Sequence, residues 1–188
     1  MDTREKILSS AQRLVQQRGF NGFSYADIAA EVGIRKASLY HHFSSKVELG
    51  LALIEAYAAQ FDAAVFEIKN SSLPADGQLA AYAALYRGSL EIDRMCLCGM
   101  MASDALTLDA SMLPLLKRFF IRNTEWLAEV LAAGKSSGVF VFDESAADHA
   151  RIILSALQGA LLIARATGDR DAFERTATQV ISDLKRKG

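Results

Sequence analysis

Within residues 35–41 stand five side chains suited to gripping a polyanion: Arg35, Lys36, Ser38, Tyr40 and His41. Long cationic donors reach phosphate oxygens and base edges, and hydroxyls suit phosphate oxygens. Ile34, Leu39 and Phe43, interleaved with them, fall together on the opposite side of a helix. The pattern therefore predicts a short two-faced helix, buried on one side and presenting donors on the other.

The residues upstream supply what must hold such a helix in place. Ser24 is a good N-cap, and Asp27, three residues on, sits where its charge favours a helix start. Ile28, Ala29 and Val32 make the apolar stripe of a short helix. Gly33 follows, where a left-handed backbone is needed and glycine alone is unpenalised. Ile34 plugs the corner, and the small Ala29 lets the two helices cross closely. Two helices joined by a tight turn over about residues 24–43 form a helix-turn-helix, the arrangement of a module that reads duplex DNA. An earlier helix, opened by an Asp2-x-x-Glu5 capping box and closed at Gly19, carries Ile7, Leu8, Ala11, Leu14 and Val15 at helical spacing and should brace the pair.

The run Ser24-Tyr25-x-x-Ile28-Ala29-x-x-Val32-Gly33-Ile34-x-Lys36-Ala37-Ser38-Leu39-Tyr40-His41-His42-Phe43-x-x-Lys46 resembles the N-terminal signature of the TetR/AcrR family of transcriptional regulators. The resemblance covers about the first fifty residues nearly without gaps. It implies an all-α protein of about nine helices: a three-helix DNA-binding domain at 1–48, then a helical effector-binding and dimerisation domain at 49–188. It also implies a homodimer on a palindromic double-stranded operator, released as a repressor by a small-molecule effector, with no cofactor. Carried over residue by residue, Ser24, Tyr25, Tyr40 and Lys46 are expected on phosphates. Arg35, Lys36, Ser38 and His41 are expected nearest the bases. Ala37 departs from the family, in which glycine is common there, and its methyl should alter how closely the helix approaches DNA.

Composition sets the frame. The chain has 188 residues, is 51% apolar and carries two prolines, enough for a sizeable core without wholesale disorder. Its net charge of −1 is unevenly spread: residues 1–50 hold seven basic against five acidic residues, and the remainder is acidic. A weakly basic head on an acidic body suits contact with DNA through one end. Two cysteines, no signal-peptide pattern and a longest apolar run of Ile152–Ala164, too short to span a bilayer, predict a soluble cytoplasmic protein.

Downstream, Lys46 opens a long helix expected to reach Lys69, about 35 Å at 1.5 Å per residue, a mechanical link between the ends of the molecule. Lys46 and the positive end of that helix are also candidates to hold a phosphate. Helical patterns resume at Ala75–Ile92, around Cys98–Leu108, from Met112 to Lys135, and in two final helices. Val139–Phe142 is expected as an extended connector. The penultimate helix is apolar nearly all round between Ile152 and Ala164, with small residues at Ala156, Gly159 and Ala160. With Ile163 and the final stripe of Phe173, Val180, Ile181 and Leu184, these residues either fill one subunit's core or pair with a second subunit as a four-helix bundle. The resemblance favours pairing.

Phe61, Val65, Tyr82, Tyr86, Met95, Cys98, Met101, Phe119, Asn123, Trp126 and Gln158 are candidates to line an effector pocket: apolar walls, a few hydrogen-bonding groups and adaptable methionines. Little internal charge suggests an uncharged or hydrophobic ligand. No Gly-rich phosphate loop, His-Glu-x-x-His pair or nucleophile elbow is present. His149 reads as a lone surface residue, and Cys96-x-Cys98 without a His or further Cys nearby is a poor metal site. Three alternatives stay open. One is a thiol sensor of oxidants or electrophiles using Cys98, which requires a lowered pKa; another is an enzyme with an apolar pocket and a vestigial head; the third is a DNA-binding protein without any ligand, whose body would be fully packed.

Overall fold

The computed structural model describes residues 2–185. Among them the chain forms helices α1 (Thr3–Arg18), α2 (Tyr25–Val32), α3 (Lys36–His42), α4 (Lys46–Lys69), α5 (Ala75–Glu91) and α6 (Leu97–Ser103). A 3₁₀ turn at Ala110–Met112 follows, then α7 (Leu113–Ser136), α8 (Ala146–Thr167) and α9 (Arg170–Asp183). No strand occurs among the described residues, so the fold is all-α with an N-terminal helix-turn-helix. The chain divides into two compact units, 1–61 with 94–119, and 62–93 with 120–188.

The start of the first unit is set by local chemistry. In the Asp2 capping box the Glu5 amide donates to Asp2 Oδ1 at 2.8 Å, and the Asp2 amide donates to Glu5 Oε2 at 2.8 Å. At α2 the backbone N–H and the hydroxyl of Ser24 both donate to Asp27 Oδ2 at 2.7 Å. Gly33 ends α2 at φ 75°, in the left-handed region, and its N–H donates to the Ala29 carbonyl at 3.0 Å. Ile7, Ala11, Leu14, Val15, Ile28, Leu39 and Phe43 then close a core around α1, α2 and α3.

Residues 94–119 join this unit through specific bonds. Gln16 Nε2 donates to the Met95 carbonyl at 2.9 Å, and the Met95 amide donates to the Gln16 carbonyl at 3.0 Å. The Phe20 amide donates to Asp104 Oδ2 at 3.0 Å. A Cβ at Gly50 would stand 2.6 Å from Met112 Cε and 2.9 Å from Phe20 Cζ, so the packing of α4 depends on that bare backbone. The helix expected around Cys98–Leu108 ends instead at Ser103. Thr107 turns back on Asp104, its amide and hydroxyl donating to the Asp104 carbonyl at 2.8 and 2.9 Å, a local competition with helical bonding.

In the second unit α8 packs on α9 and α5, and α5 on α9. Leu79, Tyr82, Tyr86, Leu127, Leu131, Leu157, Leu161 and Phe173 form its interior. Val139–Phe142 is an extended connector, with Phe140 and Phe142 buried and the Val141 amide donating to the Leu184 carbonyl at 2.7 Å. Ser145 caps α8, and Gly168 ends it at φ 76°. By length and composition α4 and α8 are long and apolar enough to cross a membrane, which the reading of Ile152–Ala164 alone did not register. Both supply buried residues to the units described here.

Candidate nucleic-acid interface

The helix-turn-helix is built so that α3 keeps one face free. Leu39 is fully buried and Phe43 nearly so, while Arg35, Lys36, Ala37, Tyr40 and His41 are exposed and Ser38 is half-buried. Ser24 is exposed at the start of α2. Neither Arg35 nor Lys36 is engaged by a carboxylate, so both cations are available to an anionic partner.

Two candidates sit differently from the rest. Tyr25 is buried, its hydroxyl donating to the Phe43 carbonyl at 3.0 Å and its ring 5.0 Å from that of Tyr40. Burial, then Tyr40 and Glu48, push its pKa up to about 12. Lys46 Nζ donates to the Phe23 carbonyl at 2.6 Å and lies 4.3 and 4.9 Å from the ring centres of Phe23 and Phe20. Burial lowers its pKa against the opposing pull of Asp104 and Asp27. Tyr25 from the interior and the half-buried Lys46 from its edge both bond to the head's own backbone, and the motif spacing alone gave no sign of it. Arg4 packs its guanidinium over the Phe43 ring at 4.9 Å.

The effector candidates divide between the units. In the first, Phe61 and Phe119 meet edge to face at 5.4 Å, and Met95, Cys98 and Met101 are buried. In the second, the Tyr82 hydroxyl donates to Asn123 Oδ1 at 2.9 Å and lies 3.1 Å from the Tyr86 hydroxyl, with the Trp126 indole stacked on Tyr82 at 5.2 Å. Trp126 Nε1 and Gln158 Nε2 are buried without a hydrogen-bond partner, and Val65 is half-buried.

Cys98 is fully buried, and burial, then Cys96, pushes its thiol up, the opposite of what a thiolate sensor needs. Cys96 is the N-cap of α6 rather than a helical residue, its sulfur accepting from the Gly99 amide at 3.4 Å. His149 is not alone, as the sequence suggested. Its Nε2 lies 3.2 Å from Glu144 Oε2 and its ring 4.5 Å from Phe142, because the connector before α8 folds back beside it. Among the described residues no cluster of three or more His, Cys, Asp or Glu is placed to hold a metal ion.

Of the candidate pairing residues, Phe173, Leu184 and Ala160 lie in the core of their own unit, and Ala156, Val180 and Ile181 are half-buried. Gly159 and Ile163 are exposed. Ile152 and Leu162, not among the candidate pairing residues, are 57% and 53% exposed and extend the same stripe along α8. Positions 152, 155, 159, 162 and 166 share one helical side, a spacing that was there to be read.

Residues 7–53 match the family model for bacterial regulatory proteins of the tetR family. A TetR-family transcriptional regulator from Agrobacterium tumefaciens superposes with a TM-score of 0.93 at 33% identity, over 98% of both chains. A TetR transcriptional regulator from Legionella pneumophila gives 0.90 at 34% identity, again over 98% of both. The transcriptional repressor NemR of Escherichia coli is 34% identical over 70 residues, 37% of this chain and 35% of NemR. An exposed cationic helix on a capped glycine turn, and likeness over nearly the whole length, lead to one conclusion: the chain is a DNA-binding transcriptional regulator and belongs to the TetR family.

Proposed function

We propose that the protein is a cytoplasmic repressor that binds a palindromic operator as a homodimer and leaves it when a small uncharged or apolar effector enters the helical body. The domain boundary we assign is 1–48 for DNA reading and 49–188 for effector binding and pairing. The observation that carries the reading is the solvent face of α3, where Arg35, Lys36, Ser38, Tyr40 and His41 stand clear of the Leu39–Phe43 core. Arg35, Lys36, Ser38 and His41 read bases, with Ala37 setting the approach; Ser24 and Tyr40 hold phosphates. Tyr25 and Lys46 shape the head that presents them, Lys46 adding charge nearby.

Repression rests on the likeness of the head to NemR, a named repressor. Pairing rests on the exposed α8 stripe of Ile152, Gly159, Leu162 and Ile163, an apolar surface on a helix whose other side already serves the core. Twofold pairing sets the two α3 helices on half-sites one DNA turn apart, about 34–36 Å, or a multiple of it. The effector must prefer the conformer that fits the operator less well, since equal affinity for both shifts nothing. No catalytic role is assigned to any residue. The test is selection of bound duplexes from a random pool, followed by an effector screen for loss of binding. A palindromic consensus supports the reading. Recovery of unrelated sequences contradicts it.

A further inference from the structure

Every described arginine except three is engaged by a carboxylate, a carbonyl or an aromatic ring. Arg35 and Arg118 are exposed, so water solvates them. Arg94 is different: it is half-buried, and its Nε is fully enclosed with no hydrogen-bond partner. Withdrawing part of a guanidinium from water without a partner is unfavourable, and the part of the group that lines open space, which no carboxylate engages, is matched by a carboxylate or phosphate oxygen.

Arg94 lines a cleft of about 550 Å³ within the first unit, between α1 and α4. The walls match an organic anion rather than a bare one. Ser9 and Gln12 on α1 and Gln60 on α4 offer hydrogen bonds, and none of the three is engaged by a neighbouring side chain. Leu8 and Ala56 supply apolar surface. Glu5 also borders the cleft, but one of its carboxylate oxygens already accepts the Asp2 amide in the cap of α1. We propose that this cleft is a binding site for a small organic carboxylate, its charge paired with Arg94, its body against Leu8 and Ala56, its polar groups on Gln12 and Gln60. The cleft shares no residue with the effector candidates named above. Its occupant bridges α1 to α4, the two helices that flank the DNA-reading pair in sequence.

The test titrates the full chain with benzoate, with its neutral isostere benzamide and with inorganic phosphate, by calorimetry and by the ¹H–¹⁵N spectrum. Benzoate is expected to bind, to move the Arg94 Nε–H resonance and to leave the single Trp126 indole resonance in place. Benzamide is expected not to bind. Arg94→Gln should weaken benzoate at least tenfold and Gln60→Leu severalfold, and the Arg94 resonance reports on the native chain even should a variant fail to fold. The proposal is overturned by absence of benzoate binding at millimolar concentration, by equal binding of benzamide, by phosphate binding more tightly than benzoate, or by a response at Trp126 in place of Arg94. A response at Trp126 alone places the ligand among the effector candidates of the second unit and leaves the proposed function standing.

Discussion

Gly33 shows how much one residue can carry. Its φ of 75° suits glycine, and a Cβ there would meet nothing within 4 Å, so a side chain meets strained backbone and no clash. Gly33→Ala should therefore destabilise the protein by about 1 kcal/mol through the left-handed conformation alone, read as a shift in the denaturant midpoint at unchanged slope. Tyr25 is the counterpart whose role motif position alone leaves open. Motif position puts it among the DNA contacts, yet it is buried with its hydroxyl on the Phe43 carbonyl. Tyr25→Phe removes that bond and should cost about 1 kcal/mol of stability, while operator affinity of the folded protein stays within twofold. A tenfold loss of affinity at full folding would make Tyr25 a phosphate contact after all. The sequence showed which residue types stand at 24–46. It did not show which of them the core would claim, because that depends on how Phe20, Phe23 and Phe43 pack.

At the level of the element, caps and faces decide the outcome. Hydrogen bonds from Ser24 hold the Asp27 carboxyl below the usual range, and hydrogen bonds from Ser44 do the same for Glu48. A folded-state pKa below the unfolded one means stabilisation that is complete above the unfolded value, near pH 4, and lost as pH falls through the folded value. The head should therefore weaken below about pH 4, and Ser24→Ala with Ser44→Ala should flatten that part of the stability–pH curve in thermal unfolding. Helix ends such as Ser24, Gly33 and Gly168 were legible because each is a local chemical event. The faces of α8 were only half legible. A stretch apolar on all sides announces burial, but the split into Ile153, Leu157 and Leu161 inside and Ile152, Leu162 and Ile163 outside required α5 and α9 in place. Replacing Leu162 and Ile163 by Glu should convert the proposed homodimer to monomer in sedimentation without lowering helix content. A mass of one chain for the unaltered protein at micromolar concentration would remove the pairing.

At the scale of the whole molecule, the compact unit that contains the head draws in residues 94–119, a segment far along the chain. Bonds such as Gln16 to Met95 and Phe20 to Asp104 make that assignment, and no periodicity or spacing marks such partners in advance. The helix-turn-helix was legible because contacts within about twenty residues fix it. The burial of Cys98 reflects its position in the fold, and iodoacetamide at neutral pH should modify it in the native protein far more slowly than in denaturant. The central claim is that α3 reads duplex DNA with its exposed cations. The most direct measurement is operator affinity against salt concentration for the native chain, Arg35→Ala and Lys36→Ala. A steep fall in affinity with salt is expected. A cation on a base edge should cost about 1–3 kcal/mol on removal and relax specificity at its position, and one on a phosphate should reduce the salt slope by about 1. Affinity and slope unchanged in both variants would contradict the claim.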